Sequence, residues 1–193
     1  MRTFQTPVGV SSRHLHLSEQ HIAALFGEGY SLTKKKDLSQ PGRFACEETA
    51  TLIGPKGSIE RVRVLGPSRS ESQVELAFTD ALKLGLDVPV RDSGNLDGTP
   101  GLEIQVGDKK ITLERGAIAA LRHLHLSEEQ AAAYGLKDKD VVKVLVNGPR
   151  GGIFHNVLVR VSPNYTLDFH IDTDEANAFG IKTGDLATVI IED

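Results

Sequence analysis

The sequence predicts a mainly β fold made of two pseudo-symmetric small β-barrel halves, each capped by short α-helices. The first observation is a repeat: Arg-His-Leu-His-Leu-Ser occupies residues 13–18 and again residues 122–127, and similar segments follow each copy. The second is a series of extended segments rich in β-branched residues, separated by Gly-Pro turns. An internal repeat of this kind usually indicates two similar subdomains.

The composition is that of an ordinary globular protein, with 39% hydrophobic and 25% charged residues in a chain of 193. This length is enough for two small domains with a real core. The net charge of -4 argues against a general nucleic-acid binder, which needs a basic surface. No apolar run approaches the roughly 20 residues of a membrane-spanning helix. We therefore expect neither nucleic acid nor membrane as a partner.

The single cysteine, Cys46, excludes an intramolecular disulfide and fits a reducing compartment. Residues 1–7 show no apolar region of a signal peptide. Both features predict a cytoplasmic protein. A lone cysteine is more often a small core residue than a nucleophile, and we expect the former for Cys46.

The repeat divides the chain into a first half at 13–120 and a second half at 121–193, and we expect the strand within residues 1–12 to join the second half. In both halves the order is paired histidines, short helix, strand, Gly-Pro turn, two strands and a short helix that ends in glycine. Alternating or continuous β-branched character predicts strands at 60–65, 74–78, 102–106, 141–146, 157–161 and 186–191.

Capping residues mark the helices. Ser18 and Ser127 are expected as N-caps, and Ser127 forms a capping box with Gln130 three residues later. Gly27, Gly135 and Gly180 are expected as C-caps. Residues 88–101 have no counterpart in the second half, and we interpret them as an inserted surface loop, with a loop that covers a ligand as the alternative.

Four of the seven histidines lie in the two copies of the motif. In an extended segment, residues i and i+2 point to the same face about 6.5 Å apart, so each His-Leu-His can direct two imidazoles at one metal ion. One such pair is a weak signal, whereas two copies in matching positions are a strong one. We expect His21 and His155 to be capping or core residues rather than ligands.

The repeat also predicts a third ligand in each half. Residues 80–86 align with residues 175–181 when the sequence is shifted by 95 positions. The same shift places Glu75 opposite His170, since 75 plus 95 is 170. The predicted ligand sets are His14, His16 and Glu75 in the first half and His123, His125 and His170 in the second. Three protein ligands with one open position are typical of catalytic zinc. Two Zn²⁺ ions per chain are therefore expected, with Co²⁺, Ni²⁺ or Fe²⁺ as alternatives.

The doubled motif, the run Gly-Pro-Ser-Arg-Ser at 66–70 and the Asp-Phe-His at 168–170 resemble the phosphate propanoyltransferases, the PduL-type phosphotransacylases of bacterial microcompartments. The resemblance covers essentially the whole chain. It implies two β-barrel halves with two metal ions, usually zinc, at the active site between them, and transfer of an acyl group between coenzyme A and phosphate.

Carried over by position, the resemblance implies that the two ligand sets above hold the metals and that Arg69 contacts the phosphate. Lys36 and Arg63 are candidate contacts for the phosphates of coenzyme A, although a solvated face is the commoner role for such residues. Members inside microcompartments, where propanediol degradation takes place, carry an amphipathic N-terminal extension. Residues 7–10 instead resemble a strand, so we expect the cytoplasm, with the microcompartment lumen as the alternative. The sequence also allows a homodimer.

The expected reaction converts propanoyl-CoA or acetyl-CoA plus phosphate to acyl phosphate plus coenzyme A, reversibly and by direct transfer. A metal-dependent hydrolase of thioesters or phosphoesters is the alternative enzyme, because the same ligands could activate water. A β-barrel binding or regulatory module is the alternative outside enzymes, since the turns at 135–141 and 180–186 resemble those of small swapped-hairpin barrels, some of which bind DNA.

Overall fold

The structure is a computed structural model in which residues 1–192 are described. It is mainly β, which confirms the predicted fold class. Within the described residues the strands are β1 (Arg2–Ser11), β2 (His14–His16), β3 (Lys34–Asp37), β4 (Phe44–Ile53), β5 (Ser58–Gly66), β6 (Gln73–Glu75), β7 (Val90–Arg91), β8 (Leu102–Val106), β9 (Lys109–Leu113), β10 (Ala117–Ala120), β11 (His123–Leu126), β12 (Val141–Val146), β13 (Gly152–Val161), β14 (Asp168–Asp172) and β15 (Leu186–Ile191). The helices are α1 (Glu19–Phe26), α2 (Phe78–Leu84), α3 (Glu128–Tyr134) and α4 (Thr173–Phe179).

The chain divides into two compact units. The His14 unit contains Ser12–Leu38 and Gly42–Ala120. The His123 unit contains Met1–Ser11, Ser39–Pro41 and the residues from Leu121 onward. No helix in the described part of the chain has the combination of length and apolar character that crossing a membrane requires.

The His14 unit is built on one sheet with the strand order β7-β10-β6-β2-β5-β4-β8-β9, and β3 pairs with β4. The short strand β2 lies between β5, to which it is parallel, and β6, to which it is antiparallel. Its middle residue, Leu15, is fully buried in the core with Leu17, Val64 and Val74. Alternation along β2 then turns both histidines to the opposite face.

The His123 unit is a closed barrel with the strand order β1-β14-β11-β13-β12-β15. Strand β11 lies between β13, which is parallel, and β14, which is antiparallel. Leu124 and Leu126 point into a core that contains Phe154 and Phe169. Because closure pairs every strand on both sides, the barrel has no open edge, and the histidines of β11 sit on a rigid support.

The two units place their third predicted ligands in the same register. Strand β2 pairs with β6 so that His14 lies opposite Glu75, and β11 pairs with β14 so that His123 lies opposite His170. The repeat detected in the sequence therefore corresponds to equivalent strand pairings.

Most of the local predictions are confirmed. Ser18 and Ser127 cap α1 and α3, the capping box of Ser127 with Gln130 is present, and Gly135 and Gly180 end α3 and α4 in the left-handed conformation. The strands at 102–106, 141–146 and 186–191 have the predicted bounds.

Two local predictions need correction. The strand predicted at 74–78 ends at Glu75, because α2 begins at Phe78. The segment 88–101 is more than a surface loop: it contributes β7, and its residues Val88, Leu96 and Thr99 are buried. Apolar side chains on both sides of its polar centre anchor it to the sheet.

Candidate metal centres

Strands β2 and β6 bring His14, His16 and Glu75 together in the His14 unit. One ligand atom from each residue lies within 4.8 Å of the other two. The Nε2 atom of His14 is 3.3 Å from Oε2 of Glu75, and Nε2 of His16 is 3.8 Å from Oε1. The antiparallel pairing of the two strands fixes these distances, since His14 lies directly opposite Glu75. We call this group the first cluster.

The orientation of the His14 ring follows from its backbone contact. Its Nδ1 lies 2.9 Å from the carbonyl oxygen of Ser12. A carbonyl oxygen only accepts hydrogen bonds, so Nδ1 must donate, and Nε2 is the ring nitrogen that faces Glu75. This is the arrangement in which histidine binds a metal through Nε2.

The electrostatics of the first cluster favour a cation. Burial disfavours the charged imidazolium of His14, but the carboxylate of Glu75 outweighs this and raises the pKa of His14. Burial likewise opposes ionisation of Glu75, yet the charge and hydrogen bond of His14 hold the pKa of Glu75 well below its usual value. The buried carboxylate is thus stabilised by a positive charge at Nε2 of His14. A metal ion would replace the proton of Nε2 and supply that positive charge itself.

His16 has the properties of a neutral ligand. Burial and the neighbouring charge of His14 lower the pKa of His16 well below its ordinary value, so the ring is uncharged at neutral pH. Its Nδ1 is buried and has no hydrogen-bond partner among the described residues. A buried polar atom normally has a hydrogen-bond partner, so packing alone does not account for an imidazole at this position. Two imidazoles and one carboxylate match a zinc donor set.

The second cluster consists of His123, His125 and His170 in the barrel of the His123 unit, with ligand atoms within 4.8 Å of one another. The ring centroids of the three pairs are 4.7 to 5.3 Å apart. The Nδ1 of His123 lies 2.8 Å from the carbonyl oxygen of Leu121, two residues earlier, as in His14. The same backbone contact therefore directs Nε2 of the first histidine in both clusters.

Asp168 was not predicted as part of a site. Its Oδ2 lies 2.8 Å from Nε2 of His170, and the residue is buried. The repeat could have found it, because 73 plus 95 is 168, and Gln73 contacts Glu75 in the first cluster at 2.6 Å. In each unit, the residue two positions before the third predicted ligand contacts that residue. In the His14 unit the amide of Gln73 donates to the carboxylate of Glu75, and in the His123 unit the carboxylate of Asp168 lies beside the imidazole of His170.

Arg69 lies beside the first cluster. Its backbone N–H donates to the carbonyl of Leu17 at 2.9 Å, which ties the segment after β5 to the end of the histidine motif. Its Nη1 donates to the hydroxyl of Ser93 at 3.0 Å. The positive charge of Arg69 is close enough to contribute to the low pKa of Glu75. The sequence prediction of a catalytic arginine at this position remains a prediction, and the structure places it next to predicted ligands.

The other two basic candidates also belong to the His14 unit. Lys36 is exposed on β3. Arg63, on β5, donates from Nη1 to the carbonyls of Cys46 and Glu47 at 2.9 and 2.7 Å. Their role as coenzyme A contacts stays a prediction.

The remaining predicted non-ligands also have defined positions. His21 is in the first turn of α1, where its Nδ1 lies 2.7 Å from the hydroxyl of Ser72. His155 is exposed in β13, so the expectation of a core or capping role is wrong for this residue.

Comparison with known proteins identifies the family. Residues 7–182 match the family model described as phosphate propanoyltransferase. A phosphate propanoyltransferase of Thermotoga maritima is 54% identical over 184 residues, 95% of this chain and 88% of the relative. The chain belongs to the phosphate propanoyltransferase family. Relatives of the same name in Lachnoclostridium phytofermentans and Enterococcus faecalis are each 51% identical, over 97% and 92% of this chain and 88% and 84% of their own lengths.

Membership of the phosphate propanoyltransferase family confirms the predicted resemblance and makes the chain an acyltransferase enzyme of the phosphotransacylase kind. In this family member Cys46 is fully buried in the core of the His14 unit. Burial and the nearby charge of Glu48 raise the pKa of Cys46 to about 11. Because the thiolate is the nucleophilic form, the structure supports the expectation of a core residue.

Proposed function

We propose that this enzyme converts propanoyl-CoA or acetyl-CoA plus phosphate to acyl phosphate plus coenzyme A, reversibly and by direct transfer, with one zinc ion in each cluster. The observation that carries the proposal is the pair of three-ligand clusters at equivalent registers in a chain of the phosphate propanoyltransferase family. Coenzyme A and phosphate are the partners that this reaction requires.

The ligands of the first zinc would be His14, His16 and Glu75, and those of the second would be His123, His125 and His170. Imidazole and carboxylate donors without thiolate suit Zn²⁺, with Co²⁺ or another divalent ion as an alternative. When bound, zinc supplies a Lewis acid that can polarise an oxygen or accept a thiolate sulfur.

Arg69 is the proposed phosphate-binding residue. A guanidinium offers a planar fork of N–H donors that matches two oxygens of a phosphate, which a lysine cannot reproduce. The contacts with Leu17 and Ser93 hold the backbone and one N–H of Arg69 in place. An arginine restrained in this way loses less conformational freedom when an anion binds.

In the proposed reaction a phosphate oxygen forms a bond to the thioester carbonyl carbon, and the carbon–sulfur bond breaks with its electron pair on sulfur. The products are acyl phosphate and the thiolate of coenzyme A. Holding both substrates in place makes the step effectively unimolecular, which contributes up to about 7–11 kcal/mol in well-oriented reactions. No enzyme nucleophile is needed, in agreement with the buried thiol of Cys46.

The test is product analysis with the purified full chain. Acyl phosphate that forms only when inorganic phosphate is added would support transfer, whereas free acid formed without phosphate would support the hydrolase instead. Elemental analysis of the same preparation should find two metal ions per chain. A metal content of zero in a fully active preparation would contradict the zinc assignment.

Arg69→Lys should raise the KM for phosphate and lower kcat, with little change in coenzyme A binding. Lysine keeps the positive charge but replaces a planar fork with a single point donor. We expect about a tenfold loss in kcat/KM for phosphate, the equivalent of one charge-assisted hydrogen bond. Initial-rate kinetics with each substrate varied separately provide the measurement.

The matched control for Arg69→Lys is Arg115→Lys. Arg115 belongs to the same unit but is exposed and pairs with Glu71 and Asp97. This control should retain parental kinetics. If Arg69→Lys instead weakens coenzyme A binding and leaves phosphate kinetics unchanged, Arg69 belongs to the cofactor pocket.

Cys46→Ser should leave turnover within a few-fold of the parent and keep the kinetics sequential, since the proposed transfer needs no acyl-enzyme. A modest loss of stability is expected because a hydroxyl replaces a thiol in the core, and Cys46→Ala serves as the packing control. Ping-pong kinetics, an acylated Cys46 peptide after incubation with acyl-CoA alone and an inactive Cys46→Ser variant would together overturn direct transfer.

A further inference from the structure

Four side chains of the His14 unit form one connected hydrogen-bonded set. The hydroxyl of Ser93 donates to Oε1 of Glu75 at 3.0 Å and accepts from Nη1 of Arg69 at 3.0 Å. The amide nitrogen of Gln73 donates to the same Oε1 at 2.6 Å and to the hydroxyl of Ser93 at 2.8 Å. The carbonyl oxygen of this amide accepts from the backbone N–H of Gly94 at 2.7 Å. We call this set the Ser93 network.

The Ser93 network satisfies its central groups completely. A serine hydroxyl has one hydrogen to donate and two lone pairs that accept. Ser93 donates its hydrogen to Glu75, and its lone pairs accept from Arg69 and Gln73. Gln73 is buried and uses both amide hydrogens and its carbonyl. Turning the Gln73 amide over would set its oxygen against a carboxylate, so the hydrogen-bonding pattern allows one orientation.

This pattern distinguishes the two oxygens of Glu75. Oε1 accepts hydrogen bonds from Gln73 and Ser93 and lies 3.8 Å from Nε2 of His16, whereas Oε2 lies 3.3 Å from Nε2 of His14. A carboxylate held at one oxygen by two donors cannot rotate about its last bond without breaking both hydrogen bonds. The network therefore holds the carboxylate in one orientation, with Oε2 toward His14 and Oε1 toward His16.

Ser93 also lies between two proposed functional groups. One hydroxyl contacts both the carboxylate of Glu75 and the guanidinium of Arg69. Ser93 comes from the segment 88–101, which is absent from the second half of the repeat, and Gly94 of the same segment anchors Gln73. The inserted segment thus reaches the first cluster through its polar centre, while its buried apolar residues hold it to the sheet.

We propose that Ser93 is a positioning residue that couples the first cluster to Arg69: its hydroxyl orients the carboxylate of Glu75 and sets the position of the Arg69 guanidinium relative to it. This inference rests on the proposed function, since it assigns a metal to Glu75 and phosphate to Arg69. It predicts that a single hydroxyl affects two separate properties, zinc affinity and phosphate recognition.

The test compares Ser93→Ala with Ser93→Thr, which keeps a hydroxyl, and with Ser31→Ala, an exposed serine of the same unit. Zinc affinity is measured on the full chain by competition with a chelator, and kinetics are measured with phosphate and acyl-CoA varied separately. Ser93→Ala should weaken one of the two zinc sites about tenfold or more, the range found for residues that orient metal ligands. The KM for phosphate should rise several-fold, and the KM for acyl-CoA should change less than twofold.

Partial or full recovery of both properties in Ser93→Thr supports the inference, as does parental behaviour of Ser31→Ala. Parental zinc affinity together with a parental KM for phosphate in Ser93→Ala would overturn it and leave the proposed function intact. If the parent itself makes no acyl phosphate, the proposed function fails, and the zinc competition still decides the role of Ser93. Thermal melting of each variant shows that the comparison is made between folded proteins.

Discussion

His125→Ala should lose one metal ion per chain and nearly all activity while keeping its fold. A bound metal contributes several kcal/mol of transition-state stabilisation, and about 1.4 kcal/mol corresponds to a factor of ten in rate. We therefore expect kcat/KM to fall by at least about 100-fold. Elemental analysis and initial-rate kinetics of the same preparation give the measurement.

The fold should survive because backbone pairing on both sides holds His125 in β11. Strand β11 pairs with β13 on one side and β14 on the other, and the barrel is closed without the imidazole. Removing a ligand from a preformed site damages metal binding more than folding. The control is His155→Ala, which removes an exposed histidine from the neighbouring strand β13. A His125→Ala variant that is fully metallated and active would exclude His125 as a ligand.

The repeat explains why the residues of both clusters could be predicted from the sequence. A period of two along a strand sets both histidines of each motif on one face, and this requires no tertiary information. The third residue of each cluster followed from one shift, because equivalent strands pair in equivalent registers. The same shift applied to Gln73 would also have pointed to Asp168, whose contact with His170 was missed.

The Ser93 network could not be predicted in this way. Ser93 lies in a segment without a repeat counterpart, and its contacts with Gln73 and Arg69 join residues 20 and 24 positions apart. The start of α2 was missed for a different reason. Its N-cap is Ala77, which has no side chain that can cap, so the strand pattern appeared to continue to Phe78. Both errors arise where tertiary packing, not local sequence, determines the structure.

Gly9→Ala should disrupt the second cluster although residue 9 is not a ligand. Gly9 lies on β1 directly beside His170 of β14. A Cβ atom at this position would lie 2.7 Å from Cδ2 and 2.8 Å from Nε2 of His170, and 3.0 Å from Oδ2 of Asp168. These distances are shorter than van der Waals contact, so the imidazole must move. We expect loss of tight metal binding at one of the two sites and a cost of about 1–3 kcal/mol in the free energy of unfolding.

A double-mutant cycle separates this effect from general damage to β1. If the clash is with the ring, adding Gly9→Ala to His170→Ala should cost less stability than adding it to the parent, with a coupling of about 0.5–3 kcal/mol. Gly107→Ala is the control: its backbone is left-handed, with a φ of 56°, but a Cβ there meets nothing within 4 Å. It should lower stability through backbone strain alone and keep both metals. Retention of both metals by Gly9→Ala, with equal costs in the two backgrounds, would show that the barrel accommodates the methyl group without moving His170.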